Sequence, residues 1–484
     1  MLFKMYINGA WHEGAGERRD VVSPINGEVL GQLCMGSAAD VDLAVRGAVK
    51  ALEQLSNMTV FQRAELLYRI SDAILARKEQ LAELLVREHG KIYAEALGEV
   101  CGSAGAFREC GDQIKWLPSE IVPCREGERL CMVLRRPKGV FGIITPWNFP
   151  LGTPSMYYLA PGLAAGCPMV WNPATSTAAV ASAFMQCFAD AEVPAGFVSL
   201  VIGKGSVVGD ALSVHPQVAG IGFTGSTATG NTICSRAQSK HTQMELGGNG
   251  PCIVLKDADL DLAADKLMAG SFTNAGQICT STERVLVDNA VADLLVYKIK
   301  SRMDRYVLGD PFQAGVTVGP MHAQDTIETV LRHIDDAAAK GAEVVCGGGR
   351  APGMPTDHYI QPTVLDHVRR DALVNVEETF GPVLPLVRFR DESEIPAIIR
   401  DSPYRLFSAI FTRDVDKALT MAQSCDFNFG CVNINEGSSF WDTMLPAGGG
   451  GGSASGHGRS GGKYSIADFS EERLVAVNLR TGRR

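Results

Sequence analysis

The stretch Val140-Phe141-Gly142-Ile143-Ile144 opens a series of short apolar runs in the middle of the chain. Met169–Trp171, Val198–Ile202 and Val218–Phe223 continue the series, and longer segments of helical character, such as Thr177–Ala191, lie between them. Apolar runs that alternate with helices are typical of βαβ units, in which parallel strands share one sheet. The pattern therefore predicts an α/β fold.

A second alternating region begins near Pro251. Cys252–Leu255 and Val383–Phe389 have the composition of buried strands, and Leu260–Ser271 has that of a helix. This second alternation of strands and helices predicts a second α/β domain.

The segment Phe61–Gly90 precedes both regions and carries apolar residues three or four positions apart. These residues are Leu66, Leu67, Ile70 and Ile74. Their spacing places them on one face of a helix, so the segment predicts a core-facing helix that stops near Gly90.

The composition of the 484-residue chain, 46% hydrophobic and 20% charged, is that of a globular protein with two or three domains. A net charge of -9 and a pI near 5.6 argue against nucleic acid or an anionic membrane as the main partner. The sequence contains no recognisable signal peptide and no apolar run long enough to cross a bilayer. We therefore expect a cytoplasmic protein that acts on a small molecule.

Thirteen cysteines are scattered along the chain, and no two form a Cys-x-x-Cys pair. Their odd number and wide spacing favour reduced thiols over a disulfide framework. The nine histidines form no His-Glu-x-x-His or comparable cluster, so no metal is expected.

Two residues have the chemistry of a nucleophile and a base. Cys279 lies in Phe272–Thr280, where Gly276 permits close backbone approach and small polar neighbours leave the sulfur accessible. Glu245 ends a predicted strand between two apolar side chains, which would raise the pKa of its carboxyl toward that of a general base. The alternatives are an inert buried cysteine and a solvated surface glutamate.

Two further segments follow predicted strands. Asn148 lies between prolines in Pro146–Pro150, where its amide could donate to an oxyanion or could satisfy its own loop. Phe223–Gly230 opens a predicted helix, so its free backbone N–H groups could hold a pyrophosphate. The alternative for that segment is an ordinary strand-to-helix turn, because its glycines are spaced more loosely than Gly-x-Gly-x-x-Gly.

Taken together, these segments resemble the aldehyde dehydrogenase superfamily, from Tyr6-Ile7-Asn8-Gly9 to the C-terminal tail. Five elements occur in the family's order and approximate spacing, and they are Pro146–Pro150, Phe223–Ser226, Glu245–Gly248, Gly276–Cys279 and Glu377–Pro382. The resemblance implies a Rossmann-like dinucleotide-binding domain in residues 1–117 and 139–247, and a second α/β catalytic domain in residues 248–447. It also implies a small β bridging unit in residues 118–138 and 463–484, which joins subunits into a homodimer or homotetramer.

The resemblance assigns roles position by position. Cys279 corresponds to the nucleophile, Glu245 to the base that activates water, and Asn148 to the oxyanion partner. The cofactor-binding positions are Trp147, Asn172, Thr175, Gly225, Ser226, Leu246, Glu378 and Phe380.

The chain departs from the family at the adenosine ribose. The family commonly has Lys-Pro followed two residues later by Glu, whereas this chain has Asn172-Pro173-Ala174-Thr175. Loss of the carboxylate removes a barrier to NADP, but loss of the lysine removes a charge-assisted hydrogen bond to its phosphate. NAD is therefore expected to be preferred, with NADP possible. The glycine-rich stretch Gly448–Gly452 also replaces the more common Phe-Gly-Gly turn.

The aldehyde itself is not fixed by these motifs. Phe440 and Trp441 align with a loop that often lines the aldehyde entrance in the family, and Tyr157 and Tyr158 follow the Asn148 element. These aromatic residues suggest an aromatic aldehyde, although aromatic residues are also common in cores. The alternatives are an aliphatic or CoA-acylating semialdehyde dehydrogenase and, from another class, a cysteine hydrolase or esterase without redox chemistry. Glu245 argues against the CoA-acylating type, which needs no hydrolytic base.

Overall fold

The computed structural model describes residues 1–14 and 16–479. Its strands, numbered in chain order, are β1 (Leu2–Phe3), β2 (Met5–Ile7), β3 (Ala10–His12), β4 (Arg18–Val22), β5 (Val29–Cys34), β6 (Glu120–Val122), β7 (Arg129–Pro137), β8 (Phe141–Thr145), β9 (Met169–Pro173), β10 (Val198–Leu200), β11 (Gly220–Thr224), β12 (His241–Glu245), β13 (Pro251–Val254), β14 (Arg284–Asp288), β15 (Glu343–Cys346), β16 (Thr363–Asp366), β17 (Val383–Phe389), β18 (Phe407–Phe411), β19 (Cys431–Ile434), β20 (Gly456–His457) and β21 (Ser470–Asn478).

The α-helices surround these strands. They are α1 (Ala38–Asn57), α2 (Val60–Ala76), α3 (Lys78–His89), α4 (Tyr93–Gln113), α5 (Ala160–Ala165), α6 (Ala178–Asp190), α7 (Asp210–Val214), α8 (Thr227–Ala237), α9 (Leu260–Phe272), α10 (Asn289–Lys300), α11 (Gln324–Ala339), α12 (Leu373–Val376), α13 (Ile395–Arg400), α14 (Val415–Ala422) and α15 (Gly462–Asp468). Among the described residues, no helix is long and apolar enough to cross a membrane.

The first large sheet has eight strands in the order β20-β12-β11-β8-β9-β10-β2-β3. Its five central strands, from β12 to β10, pair in parallel, and β20 and β2 add antiparallel at the two sides. The four apolar runs that begin at Val140 become β8 to β11, so the predicted parallel α/β sheet is confirmed. All five residues of β8, β9 and β11 are buried, as expected for strands covered by helices on both faces.

The second large sheet has seven strands in the order β15-β16-β17-β14-β13-β18-β19, and only its edge strand β15 is antiparallel. Each large sheet has its own buried apolar core. The fold is therefore α/β in both halves of the chain.

A small third sheet has the order β21-β7-β6. β21 runs antiparallel to β7 over nine residue pairs, from Ser470 opposite Pro137 to Asn478 opposite Arg129. β21, in the second segment of the predicted bridging unit, thus pairs with β7 of its own chain. Residues 480–484 of the predicted bridging unit lie outside the described residues. The remaining sheet, β1-β5-β4, lies near the start of the chain.

The predicted helix over Phe61–Gly90 is wrong in one respect, because the structure has two helices there. The chain leaves helical geometry at Arg77, with φ −116° and ψ 11°, between α2 and α3. Apolar periodicity continues on both sides of this break, so the sequence pattern could not reveal it. The end at Gly90 is confirmed, since that residue caps α3 with a φ of 98°.

Candidate active site

A cavity of about 780 Å³ is lined by residues from both large sheets. It receives loops that follow β8, β11 and β12, and also the loop between α9 and β14. Ten of the residues predicted from the sequence line it, and they are Trp147, Asn148, Tyr157, Gly225, Ser226, Leu246, Cys279, Glu378, Phe380 and Trp441.

Five predicted residues do not line this cavity. Tyr158 is fully buried, and its hydroxyl lies 2.7 Å from Thr224 Oγ1. Phe440 is 51% exposed. Asn172 lies in β9, and Thr175 lies in the short 3-10 helix that follows this strand. Glu245 is buried at the end of β12, one residue before Leu246, which does line the cavity.

The loop before Cys279 has an unusual backbone. Asn274 and Ala275 have φ values of 52°, and Gly276 has a φ of 73°, so three consecutive residues are left-handed. This conformation is costly for residues other than glycine and persists only when the surroundings enforce it. The buried amide of Gln277 does so, because it donates to Asn274 O at 2.9 Å and accepts from the His322 N–H at 2.8 Å.

The backbone of Cys279 packs directly on Gly248. A β-carbon at position 248 would lie 1.8 Å from the carbonyl oxygen of Cys279, so only glycine fits. The Cys279 side chain is partly exposed to the cavity. Burial, followed by the charges of Glu378 and Glu245, raises the pKa of its thiol. A proton must therefore leave the sulfur before it can act as a nucleophile.

Asn148 is held beside the same loop. Its Nδ2 donates to Gln277 O at 2.9 Å, two positions before Cys279, and the residue is 6% exposed. An amide nitrogen carries two N–H donors, so this bond fixes the side chain and leaves a second donor for a ligand in the cavity.

Glu245 contacts a segment near the end of the chain that contains Gly456 and Ser460. Ser460 Oγ donates to Glu245 Oε1 at 2.6 Å, and Gly456 lies opposite Glu245 in the sheet. Burial raises the pKa of Glu245 to about 7, while the Ser460 hydrogen bond lowers it. The carboxyl can therefore take up and release a proton near neutral pH.

The glycine-rich stretch around Gly448 is a fixed loop. Ala447 and Ser460 exchange two backbone hydrogen bonds of 2.7 and 2.8 Å, and the Gly450 N–H donates to Arg405 O at 2.7 Å. A β-carbon at Gly448 would come within 3.3 Å of Glu245 Oε1. These glycines therefore let the backbone close over Glu245.

Glu378 and Phe380 approach the cavity from the second sheet. Glu378 Oε1 accepts the Gly248 N–H at 2.7 Å, and burial raises the pKa of this carboxyl to about 7. Phe380 has a φ of 56°, and its ring meets Trp147 edge to face at 5.6 Å. Buried Glu283 holds this segment by accepting the Thr379 and Phe380 N–H groups at 2.7 and 2.8 Å.

The arrangement fits a dinucleotide along the edge of the first sheet. Ser226 caps α8, and its side chain accepts the Thr229 N–H at 3.3 Å, so the helix begins beside the cavity. A helix N-terminus after a parallel strand attracts a pyrophosphate. Gly225, Ser226 and Leu246 line the cavity on one side, and Glu378 and Phe380 line it on the other.

The profile of the Aldehyde dehydrogenase family matches residues 11–475. The chain belongs to the aldehyde dehydrogenase family. Similar proteins include a succinate-semialdehyde dehydrogenase [NADP(+)] of Escherichia coli, 36% identical over 98% of this chain and 97% of the relative. A glutarate-semialdehyde dehydrogenase of Pseudomonas aeruginosa is also 36% identical, over 98% of this chain and 97% of its own.

Solved structures agree with this membership in the aldehyde dehydrogenase family. An E. coli NADP dependent enzyme superposes with a TM-score of 0.95 at 35% identity, over 99% of this chain and 98% of the other. The predicted combination of a Rossmann-like domain with an α/β catalytic domain is confirmed as the fold of this chain.

Sequence reasoning missed a buried ion pair in this chain. Lys91 Nζ lies 2.6 Å from Glu99 Oε2, with the two side chains 0% and 2% exposed. Lys91 also donates to Asn148 O at 2.9 Å, and Glu99 Oε1 accepts the Leu151 and Gly152 N–H groups at 2.9 Å. The pair fixes the loop that carries Asn148. Glu99 lies on the otherwise apolar buried face of α4, and a charge in that position could have indicated the pair.

Three other residues of the site were also missed. Ser460 holds Glu245, Glu283 holds the backbone of Phe380, and Gln277 holds the nucleophile loop. Glu283 and Arg284 stand directly before the apolar residues Val285, Leu286 and Val287 of β14, which is a position where a buried charge could have been suspected. Ser460 lies 215 positions from its partner and left no local signal.

Proposed function

We propose that the chain oxidises an aldehyde to its carboxylic acid at Cys279, with NAD or NADP as hydride acceptor. The observation that carries the proposal is one cavity lined by Cys279, Asn148, Glu378 and Phe380, with Glu245 buried directly behind its wall. We also propose that residues 1–117 and 139–247 bind the dinucleotide, and that residues 248–447 supply the nucleophile.

In the first step, the Cys279 thiolate adds to the aldehyde carbonyl and forms a carbon–sulfur bond. The second N–H of Asn148 and the backbone N–H of Cys279 donate to the oxyanion that develops. Gly225, Ser226, Glu378 and Phe380 would hold a nicotinamide dinucleotide, which would supply a hydride acceptor when bound. Loss of a hydride, with its two electrons, from the carbon bonded to Cys279 would leave a thioester on that residue.

In the second step, water attacks the thioester and Glu245 accepts the proton of that water. The carbon–sulfur bond breaks, the acid leaves, and Cys279 is regenerated. A pKa near 7 suits Glu245 to this role at neutral pH, because a useful fraction of the carboxyl is then ionised. A base in this position favours hydrolysis over transfer to CoA.

The relatives favour a semialdehyde as substrate over the aromatic aldehyde suggested by the sequence. The names of both curated relatives contain an aliphatic semialdehyde, succinate or glutarate. A semialdehyde of this type carries a carboxylate at the end remote from its carbonyl, so its recognition would require a donor or a cation near the cavity.

An uncharged aldehyde is a second candidate, and the cavity itself favours it. Among the described residues that line the cavity, none is Lys, Arg or His, whereas Glu95, Glu99, Asp325 and Glu378 are acidic. Tyr157 and Trp441 meet edge to face at 5.4 Å in its wall and offer an aromatic surface. Because Glu99 is paired with Lys91, a free carboxylate in this cavity would meet Glu95, Asp325 and Glu378 without a cation among the lining side chains.

The test is an assay of reduced dinucleotide formed from succinic semialdehyde, butyraldehyde and benzaldehyde. We expect activity that requires both dinucleotide and Cys279, so Cys279→Ala abolishes it while exposed Cys425→Ala does not. Oxidation that persists in Cys279→Ala would overturn the mechanism. Ester hydrolysis without any dinucleotide-dependent oxidation would instead indicate a hydrolase. The ratio of rates with succinic semialdehyde and butyraldehyde decides between the two substrate classes.

A further inference from the structure

Two cations lie at the edge of the first sheet where β9 and β10 end. Arg19 Nη1 donates to Thr175 Oγ1 at 2.8 Å, although the two residues are 156 positions apart. Lys204 directly follows Gly203, whose carbonyl oxygen accepts Asn172 Nδ2 at 3.1 Å. Thr175, which replaces the family's glutamate, therefore contacts a cation directly, and Asn172, which replaces the lysine, is bonded to the backbone directly before Lys204.

Asn172 does not itself face a ligand. It is 2% exposed, and its Nδ2 donates to Val201 O at 3.0 Å as well as to Gly203 O. This amide joins the end of β9 to the loop that carries Lys204. Thr175 has an uncharged hydroxyl, which accepts a hydrogen bond from Arg19 and brings no negative charge near it.

Glu17 connects the two cations. Its carboxylate lies 2.9 Å from Lys204 Nζ, and both side chains are more than half exposed. Lys204 and, more weakly, Arg19 lower the pKa of Glu17. Since an exposed ion pair of this kind is worth little, an incoming dianion can displace Glu17 from Lys204.

The position of the cluster suits the far end of a dinucleotide. β8 lies between β9 and β11, and all three strands are parallel, so their carboxyl ends meet at one edge. Neighbouring strands are about 4.8 Å apart, which places β9 roughly 10 Å from the turn at Gly225 and Ser226. Ligands of open α/β sheets bind along this edge.

We propose that Arg19 and Lys204 bind the 2′-phosphate of NADP, so that this enzyme prefers NADP over NAD. The inference rests on the proposed function only in that the sheet edge binds a dinucleotide. The preference for NAD predicted from Asn172 and Thr175 assumed that no other cation replaced the missing lysine. Arg19 supplies such a cation, and its planar guanidinium can donate two parallel hydrogen bonds to a phosphate.

The test is a fluorescence titration of the purified full-length protein with NADPH and with NADH, without any aldehyde. We expect NADPH to bind more tightly, and we expect this advantage to shrink as salt is added. Arg19→Gln should weaken NADPH binding about tenfold and change NADH binding by less than about twofold. Lys204→Gln should act in the same direction, and Glu17→Gln should tighten NADPH binding.

Arg18→Gln is the matched control, because Arg18 is the adjacent arginine and its side chain contacts Glu13 and Cys34 instead of Thr175. Equal or tighter binding of NADH by the wild type would overturn the inference, as would an Arg19→Gln variant with unchanged NADPH binding. Aldehyde oxidation with NAD would still stand in both cases. Failure of both dinucleotides to bind would overturn the inference and the proposed function together.

Discussion

Ser460 Oγ donates a hydrogen bond to Glu245 Oε1 at 2.6 Å, and this hydroxyl also accepts Gln243 Nε2 at 2.9 Å. The bond stabilises the ionised form of a carboxyl whose burial favours the neutral form. These opposed effects leave the pKa of Glu245 at about 7, so Ser460 contributes to the pH range in which the proposed base works.

Replacing Ser460 with Ala should move the acid limb of the kcat profile to higher pH. Loss of the hydrogen bond raises the pKa of Glu245, so less of the carboxyl is ionised at pH 7 and turnover there falls. A bond to a charged group is worth enough to shift the limb by about one pH unit. Ser453→Ala, in the same loop, is the control, because the Ser453 hydroxyl bonds to Gly450 O and the Ser455 N–H instead of Glu245. An acid limb that does not move in Ser460→Ala would remove Ser460 from this role.

Replacing Glu245 with Gln should slow thioester hydrolysis more than hydride transfer, because an amide cannot accept the proton of water. A pre-steady-state burst of reduced dinucleotide followed by slow turnover is expected, with the acyl group retained on Cys279 in the mass spectrum of the intact protein. Normal steady-state turnover by this variant would exclude Glu245 as the base.

Much of the fold could be predicted because its strands are buried on both faces. The runs that became β8, β9 and β11 are continuous apolar segments, and such segments are recognisable without knowing their neighbours. The break at Arg77 could not be predicted in this way, because it leaves the apolar spacing of α2 and α3 intact.

The residues of the site also differ in how well they could be predicted from local sequence. Cys279, Asn148 and Glu378 lie in short recognisable motifs and were predicted to act together. Arg19 and Ser460 were not, because each reaches its partner across more than 150 positions, and pairing at that distance depends on the assembled sheet. Tyr158 was predicted to line the pocket because it is aromatic and adjacent to Tyr157. Its side chain instead lies in the core, where its hydroxyl contacts Thr224.

Breaking the buried ion pair with Lys91→Met should lower the free energy of unfolding by about 3–5 kcal/mol, because Glu99 is then left buried without its partner. Turnover should also fall, since Lys91 holds the backbone of Asn148. Denaturant titration measures the stability. The control is Arg400→Met, which removes an exposed pair with Asp426 and should cost about 1 kcal/mol or less. Equal losses of unfolding free energy in the two variants would show that the buried pair stabilises the protein no more than the exposed pair.

Gly248→Ala should greatly reduce turnover, because its β-carbon would collide with the carbonyl oxygen of Cys279. A displacement of about 1 Å at a reacting group can cost about a hundredfold in rate. Gly451→Ala is the matched control, since its β-carbon would meet nothing within 4 Å. Comparable kcat values for the two variants would contradict the close packing of Gly248 on the nucleophile.

The small β21-β7-β6 sheet leads us to expect a homodimer or a tetramer of dimers. Leu474 and Ile121 on this sheet are 64% and 74% exposed, which is unusual for large apolar side chains on strands. Leu474→Glu should therefore weaken association in light scattering, whereas Val415→Glu, on the exposed side of α14, should not. A wild-type protein that is monomeric at working concentration would contradict the expectation.

The pairing of β12 with β20 also affects how the chain can be made. The 215 positions that separate Glu245 from Ser460 take roughly 10 to 40 s to synthesise at 5–20 residues per second. Until then, the nascent first sheet keeps β12 as an open edge, and such an edge can pair with another growing chain. We expect that the burden on cellular folding factors is greatest in this interval, and that it ends when the last strand of the sheet leaves the ribosome.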